Sequence, residues 1–274
     1  MYIKKPIISE IALDTYLINE FGLSSIYFLN GKERGLLIDT GCGICDLKAL
    51  IQTLTDKPYD IVLTHGHMDH VGGIGCFESV YVNEKDLAMT KECKREEIIS
   101  YARMLGEAGS FEIYDYDPNN VMETKKLPEF QMLKDGDGFE LGDRYVQAFE
   151  IEGHTDGGMV FLDWKNRIVF SGDCCNMHLL AQNSSVERTL KALKKFKKLE
   201  KHFDRNYNGH AGYMGNPDTF SQPKSVTNDL IYICESILKG KAEPKPYLFL
   251  GRELKQMSYG SANLSYNPNH LKNE

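Results

Sequence analysis

Thr64-His65-Gly66-His67-Met68-Asp69-His70 follows directly on the apolar run Ile61-Val62-Leu63. Three imidazoles and a carboxylate fall within six positions, in a chain with only 8 His among its 274 residues. Imidazole nitrogen and carboxylate oxygen are ligand types preferred by zinc, and by iron or manganese in mixed sites. His65 and His67, at alternate positions, can point the same way from an extended or tight loop. Asp69 and His70 can reach a second point nearby, so one loop can serve two metals. A purely structural turn has no use for this composition, and the stretch lacks ordinary turn chemistry.

The flanking sequence places this loop at the end of a strand over residues 60–63. Upstream, residues 15–21 and 24–30 read as strands. Gly35-Leu36-Leu37-Ile38-Asp39-Thr40-Gly41 is an apolar strand, buried on both faces, that ends in Asp-Thr-Gly. Asp39 can there hold a neighbouring loop through backbone N–H groups, or orient a ligating imidazole from behind. Residues 46–54 carry Leu47, Leu50, Ile51 and Leu54 at helical spacing. This order of strands and helix suggests a sheet with helices on its outer face.

Downstream, Val71-Gly72-Gly73-Ile74-Gly75 has no phosphate-loop spacing. It reads as a tight start to a helix packed behind the histidine loop. A strand is expected over 79–82, and helices over 84–90 and 96–107. Residues 91–135 are weakly patterned, and Phe111, Tyr114 and Tyr116 in that span are candidates to wall a pocket. A lid or insertion is expected there. Strands return over 139–141, 145–151, 159–163 and 167–170. They leave His154 in one connecting loop and Asp173 at a strand end. Residues 185–202 read as a basic helix with Leu190, Leu193, Phe196 and Leu199 as its apolar stripe and six lysines on its other face. That lysine face reads most simply as solvated, its stems covering apolar surface. Asn206-Tyr207-Asn208-Gly209-His210 runs as a strand into a turn. A further helix is expected over 227–238 with Leu230, Ile231, Ile233 and Leu238 buried, then strand-like pieces over 247–250 and 261–266.

Hydrophobic content of 42% and charged content of 26% are those of an ordinary globular protein. The formal charge of −7 disfavours long nucleic acid and anionic membrane as partners. A small-molecule substrate is expected, and a homodimer is compatible with the composition. Seven scattered cysteines fit a reducing compartment, with cytoplasm the default. Cys42-Gly43-Ile44-Cys45 and Cys174-Cys175 read as buried packing rather than redox motifs. With no repeat or linker in view, residues 1–274 read as a single domain.

The histidine loop, His154, Asp173, His210 and Ile38-Asp39-Thr40-Gly41 occur in an order that resembles the metallo-β-lactamase-fold superfamily. Within it, the resemblance is to dinuclear hydrolases such as glyoxalase II and metal-dependent lactonases. The likeness runs from about residue 15 to 240. It implies an α+β fold, a four-layer αββα sandwich of two mixed sheets. It also implies two divalent metal ions, zinc first, with iron or manganese as alternatives. His65, His67 and His154 would hold the first, Asp69, His70 and His210 the second, and Asp173 would bridge them. The implied chemistry is hydrolysis of a small ester, thioester or lactone by a metal-bridging hydroxide, with Asp69 as proton shuttle. A tyrosine such as Tyr213 is a candidate to assist the oxyanion. A phosphodiesterase or nuclease of the same fold, or a mononuclear-iron persulfide dioxygenase, is the alternative. Class B β-lactamases commonly have Cys where this chain has Asp173, and diiron oxidoreductases typically have Glu where it has His67. Both differences favour hydrolysis. After His154-Thr155 the chain continues Asp156-Gly157-Gly158 rather than the Pro-Gly usual in glyoxalase II. It also lacks clear counterparts of the glutathione-binding residues. Both departures argue against hydroxyacylglutathione as the substrate.

Overall fold

The structure, a computed structural model, describes residues 2–181, 183–211 and 221–272. The chain opens with β1 (Ile7–Ala12), β2 (Thr15–Glu20), β3 (Ser24–Asn30) and β4 (Gly35–Ile38). Helix α1 (Leu47–Gln52), β5 (Tyr59–Val62), α2 (Met68–Val71) and β6 (Ser79–Asn83) follow. Next come α3 (Leu87–Lys91), α4 (Arg95–Glu107) and β7 (Glu129–Leu133). These seven strands form one sheet in chain order, antiparallel from β1 to β4 and parallel from β4 to β7.

The second half begins with β8 (Gly138–Glu140), β9 (Tyr145–Glu150), β10 (Met159–Asp163) and β11 (Ile168–Gly172). It continues through β12 (His178–Ala181), α5 (Val186–Lys197), β13 (Arg205–Asn208) and α6 (Val226–Leu238). It ends with β14 (Lys245–Phe249), β15 (Arg252–Tyr259) and β16 (Ala262–Tyr266). The second sheet runs β13-β11-β10-β9-β8, with β13 parallel to β11 and the rest antiparallel. A third sheet, β12-β16-β15-β14, is an addition that the apolar pattern does not announce as a unit.

Successive side chains of a strand point to opposite faces, and here both faces are covered. Leu17, Tyr27, Leu29, Leu36, Ile38 and Val62 of the first sheet meet Val146, Ala148, Phe161, Ile168 and Phe170 of the second in one core. Their neighbours Ile18, Ile26, Phe28, Leu37 and Ile61 face outward onto Leu47 and Ile51 of α1. On the far side, Val160, Leu162 and Val169 pack under Leu193 and Phe196 of α5 and Leu230 and Ile233 of α6. The result is helix, sheet, sheet, helix, as the resemblance to the metallo-β-lactamase fold implied. Buried Arg144, bonded to Asp163 and to Thr15 Oγ1 (2.8 Å), ties the two sheets together at the end that β4 and β5 enter.

Four expectations need correction. The helix behind the histidine loop starts inside the loop, at Met68 with His67 in the capping position, and Gly72 closes it. Ile231 and Leu238 of α6 are only partly buried. Within 91–135, Glu129–Leu133 is a regular strand of the first sheet. The aromatics expected to wall a pocket instead face a core of their own. Tyr114 is 1% exposed, and Tyr116 stacks on Phe21 at 5.1 Å. Strands β1 and β15 are not expected from the sequence, because their polar and apolar residues do not separate cleanly. No helix among the described residues is long and apolar enough to cross a membrane.

Candidate metal centre

The ends of β4, β5, β9, β11 and β13 meet at one edge of the sandwich, and each is followed by a loop carrying a polar side chain. All seven residues singled out in the sequence lie there. Donor atoms of His65, His67 and His154 lie within 4.8 Å of one another; so do those of His65, His70 and Asp173, and those of Asp69, His70 and His210. The first and third trios match the two ligand sets that the resemblance implies. The second trio joins them. Asp173 Oδ2 stands 3.0 Å from His210 Nε2 and 3.5 Å from His154 Nε2, between the two.

Ring orientation is fixed from behind. Asp39, at a left-handed φ of 64°, accepts from Thr64 N (2.7 Å) and Thr64 Oγ1 (2.7 Å), and lies 2.9 Å from His70 Nδ1. Such backbone strain persists only where the surroundings over-determine it, here by three hydrogen bonds. Since Thr64 Oγ1 spends its hydrogen on Asp39, it accepts from His65 Nδ1 at 2.9 Å. Backbone carbonyls accept in the same way from His154 Nδ1 (Leu180 O, 2.7 Å) and His210 Nδ1 (Leu23 O, 3.2 Å). A ring that donates through Nδ1 presents a lone pair at Nε2 when neutral. Four imidazoles therefore aim Nε2 at the centre, and His67 aims Nδ1.

The arrangement is poor for a protein without a cation. His67 Nδ1 lies 3.1 Å from His65 Nε2 and 2.8 Å from His154 Nε2, so three lone pairs share at most one hydrogen. His70 Nε2 and Asp173 Oδ1 are buried with no hydrogen-bond partner among the described residues. A buried polar atom left unpaired costs roughly 1–3 kcal/mol, and unexplained cases point to an ion or water. Burial, with the neighbouring imidazoles adding to it, holds His65 well below the usual histidine range and His67 down to about 3. Both rings are thus neutral donors. At His70 burial also opposes charge, but Asp69 and Asp39 outweigh it and push the ring up to about 10. Burial works against the ionised carboxyls of Asp69 and Asp173, yet His70 and His210 hold Asp69 low, and His210 holds Asp173 well below the usual range. Neutral rings at His65 and His67 and ionised carboxylates at Asp69 and Asp173 are forms in which ligands bind metal, whereas His70, pushed up by its carboxylate neighbours, must release a proton as a cation binds.

Three supporting groups carried no signal in the sequence. Asp86, 1% exposed, accepts from Gly66 N (2.9 Å) and Thr155 Oγ1 (2.7 Å) through Oδ2, and from Gly157 N (2.8 Å) through Oδ1. It thereby clamps the His65–His67 turn to the His154 loop. Glu20, fully buried, accepts from the amides of Cys42, Ile44 and Cys45 and shapes the loop after Asp39. Gly209 leaves room for the ligands: a Cβ there would lie 2.5 Å from His70 Cε1 and 2.8 Å from Asp173 Oδ1. An isolated acid or glycine is too common for such a role to be read from spacing. Cys42, buried, and Cys45 are held well above the usual thiol range by burial and then by Glu20, which disfavours thiolate chemistry there. Tyr213 lies outside the described residues.

A family model described as "Metallo-beta-lactamase superfamily" matches residues 19–201. Among curated proteins, the chain is similar to the acyl-coenzyme A thioesterase MBLAC2 of Homo sapiens (27% identity over 55% of this chain and 57% of that protein). It is also similar to the atrochrysone carboxyl ACP thioesterase of Aspergillus fumigatus (24%, over 70% of this chain and 52% of that one) and to the hydroxyacylglutathione hydrolase of Francisella tularensis (24%, 71% and 66%). The matches thus span little more than half the length of the first two relatives. Among solved structures, a metallo-beta-lactamase from Pontibacter korlensis superposes with a TM-score of 0.60 at 15% identity, over 84% of this chain and 99% of that one. A metallo-beta-lactamase family protein from Thermus thermophilus gives 0.59 at 20%, over 86% and 85%. At these identities the two structures speak for the fold.

Proposed function

The chain belongs to the metallo-β-lactamase superfamily, and from that premise we propose that it is a metal-dependent hydrolase of small thioesters, esters or lactones. The observation that carries the reading is the pair of donor trios joined by a buried carboxylate, with His70 Nε2 and Asp173 Oδ1 left for a cation to satisfy. In this proposal His65, His67 and His154 hold one divalent ion, Asp69, His70 and His210 hold a second, and Asp173 serves both. Zinc is the proposed metal. Iron and manganese suit the same oxygen and nitrogen donors, and no thiolate is among the seven to enforce zinc alone. When bound, such a pair supplies Lewis acidity and lowers the pKa of a water toward about 7.

The rest falls to the chain's own residues. Asp39, Thr64 and the carbonyls of Leu23 and Leu180 keep the rings in the tautomer that frees their ligating nitrogens. Asp69, held ionised by its two histidine neighbours, is placed to take a proton at a carboxylate oxygen. His67 and His210 are the more open of the seven side chains and the others are buried, so a substrate approaches from their side. The thioester is the leading substrate because two of the relatives carry "thioesterase" in their names. The seven free cysteines fit the cytoplasmic placement we propose.

Metal analysis by mass spectrometry on protein purified without added metal, beside a panel of thioester, ester, lactone and phosphodiester substrates, tests the reading. Two ions per chain and thioester or lactone cleavage that chelation abolishes are expected. One iron per chain with oxygen uptake, or cleavage of phosphodiesters alone, would overturn it.

A further inference from the structure

Helix α5 starts against the His154 loop. Thr189 Oγ1, which donates to Ser185 O at 3.0 Å, lies 3.4 Å from Gly153 O, and Arg188 reaches Asp156 at 2.7 Å. Residues 185–202 then hold seven Lys and Arg against two Glu, in a chain whose formal charge is −7. Along its outer face runs a shallow, open groove formed by side chains of this one helix: Glu187, Leu190, Lys191, Lys194, Lys195 and Lys198. Leu190 and the lysine stems give it an apolar floor beneath the ammonium groups.

Nearer cations are already committed. Lys85 is shared between Glu150 (2.7 Å) and Glu152 (2.5 Å), and Arg188 between Glu152 (2.9 Å) and Asp156 (2.7 Å). In the groove, Lys194 and Lys195 have one exposed partner each, Glu235 at 2.8 Å and Asp135 at 3.2 Å, contacts of small worth. Lys191 and Lys198 have no carboxylate partner among the described residues. At a rise of ~1.5 Å per residue, they stand about 3 and 13 Å along the axis from Thr189. Positive charge is therefore set back from the reacting centre rather than placed in it.

We propose that this groove binds the phosphate-bearing nucleotide end of a coenzyme A thioester whose acyl group lies at the metal centre. The proposal rests on the thioester reading above and names its leaving group. A long neutral arm separates thioester from phosphates in such a substrate, matching anion contacts set back from the ligands. Six residues on one helix face fall well short of the roughly 20–30 per side of a standard protein–protein interface, which favours a small polyanion over a carrier protein. An acidic chain also needs a local basic patch to draw in a polyanionic substrate.

The test compares kcat and KM for an acyl-coenzyme A with those for the same acyl group on N-acetylcysteamine, using the full chain. In the Lys191→Gln/Lys198→Gln variant, and more so in Lys191→Glu/Lys198→Glu, KM for the coenzyme A thioester should rise about tenfold with kcat within about twofold. The N-acetylcysteamine thioester should be unaffected. Added salt should raise KM for the coenzyme A thioester only. Equal KM for the two thioesters in the wild type, or no change in the variants, overturns the groove and leaves the hydrolase reading standing. A lysine-dependent preference for an acyl carrier protein thioester overturns the nucleotide assignment. If neither thioester is cleaved, the thioester reading fails, and the hydrolase reading passes to the ester and lactone panel. Binding of adenosine 3′,5′-bisphosphate to wild type and to the Gln variant then decides the groove alone: tenfold weaker binding by the variant supports it, and equal affinity sinks it.

Discussion

The first sheet brings four of the seven residues to the centre on a single loop, His65 to His70. The second brings three, His154, Asp173 and His210, on three separate strand ends. The first arrangement is local: a turn running into α2 presents its side chains whatever lies opposite. The second exists only because β13 pairs in parallel with β11 and β9 pairs with β10, which sets three loops side by side. Asp86 and Asp39 deal with the two halves differently. Asp39 works within the first sheet, holding Thr64 and His70. Asp86 spans the halves, gripping Gly66 on one loop and Thr155 and Gly157 on the other.

This contrast can be broken experimentally, most severely at Asp173, which belongs to neither trio alone. Asp173→Ala should reduce kcat/KM more than about a hundredfold, beyond the usual cost of losing a supporting group, and lower occupancy at both trios. His67→Ala should empty the first trio preferentially. Native mass spectrometry of the two variants distinguishes these outcomes, and full metal content in Asp173→Ala would break the idea of a shared carboxylate. Asp39→Asn should cost about 10–100-fold in metal affinity, as groups behind the ligands do, measured by competition with a chromogenic chelator. Gly209→Ala intrudes on the centre from the second sheet, and about a tenfold drop in activity is expected, since small misplacements of catalytic groups are costly. An unchanged rate would show that the β13 end can yield.

Asp86→Ala removes three hydrogen bonds to a buried carboxylate and should destabilise the fold by about 2–3 kcal/mol in urea unfolding. The His154 side should loosen first; a variant that keeps wild-type stability would show that the two halves meet without the clamp. The smallest effect concerns Glu152. Burial alone would raise its carboxyl, but Arg188 and Lys85 hold it down to about 2. A depressed carboxylate gives stability that is present above its unfolded pKa, near 4.5, and is lost as pH falls toward about 2. Melting temperatures from about pH 6 to 2 should therefore fall less for Glu152→Gln than for the wild type. Parallel curves would show that the salt bridges to Lys85 and Arg188 add nothing.

Much of this was legible in the chain. Strands such as Gly35–Ile38 and Met159–Asp163 are apolar runs, the latter up to its terminal Asp163, because both faces are covered, and the long helices α4, α5 and α6 kept their apolar periodicity. The His65–His70 loop stood out because histidine is scarce and its spacing there unusual, whereas His154, Asp173 and His210 were assigned as ligands only through the family resemblance. Asp86 and Glu20 could not be found that way, since a buried carboxylate looks like a surface one until its amide partners are in place. Phe111, Tyr114 and Tyr116 could not be assigned a direction, because the side they face depends on Phe21 and α4, distant elements that the fold brings against them.

Residue order alone determined which atoms are available to bind cations and which segments must be buried on both sides, because composition and spacing are properties of neighbours along a chain. Tertiary structure decided that the two halves close on one point, which nitrogen each ring offers, and that the lysine-bearing helix α5 starts against the His154 loop. Those outcomes depend on distances between residues that strand pairing alone brings together.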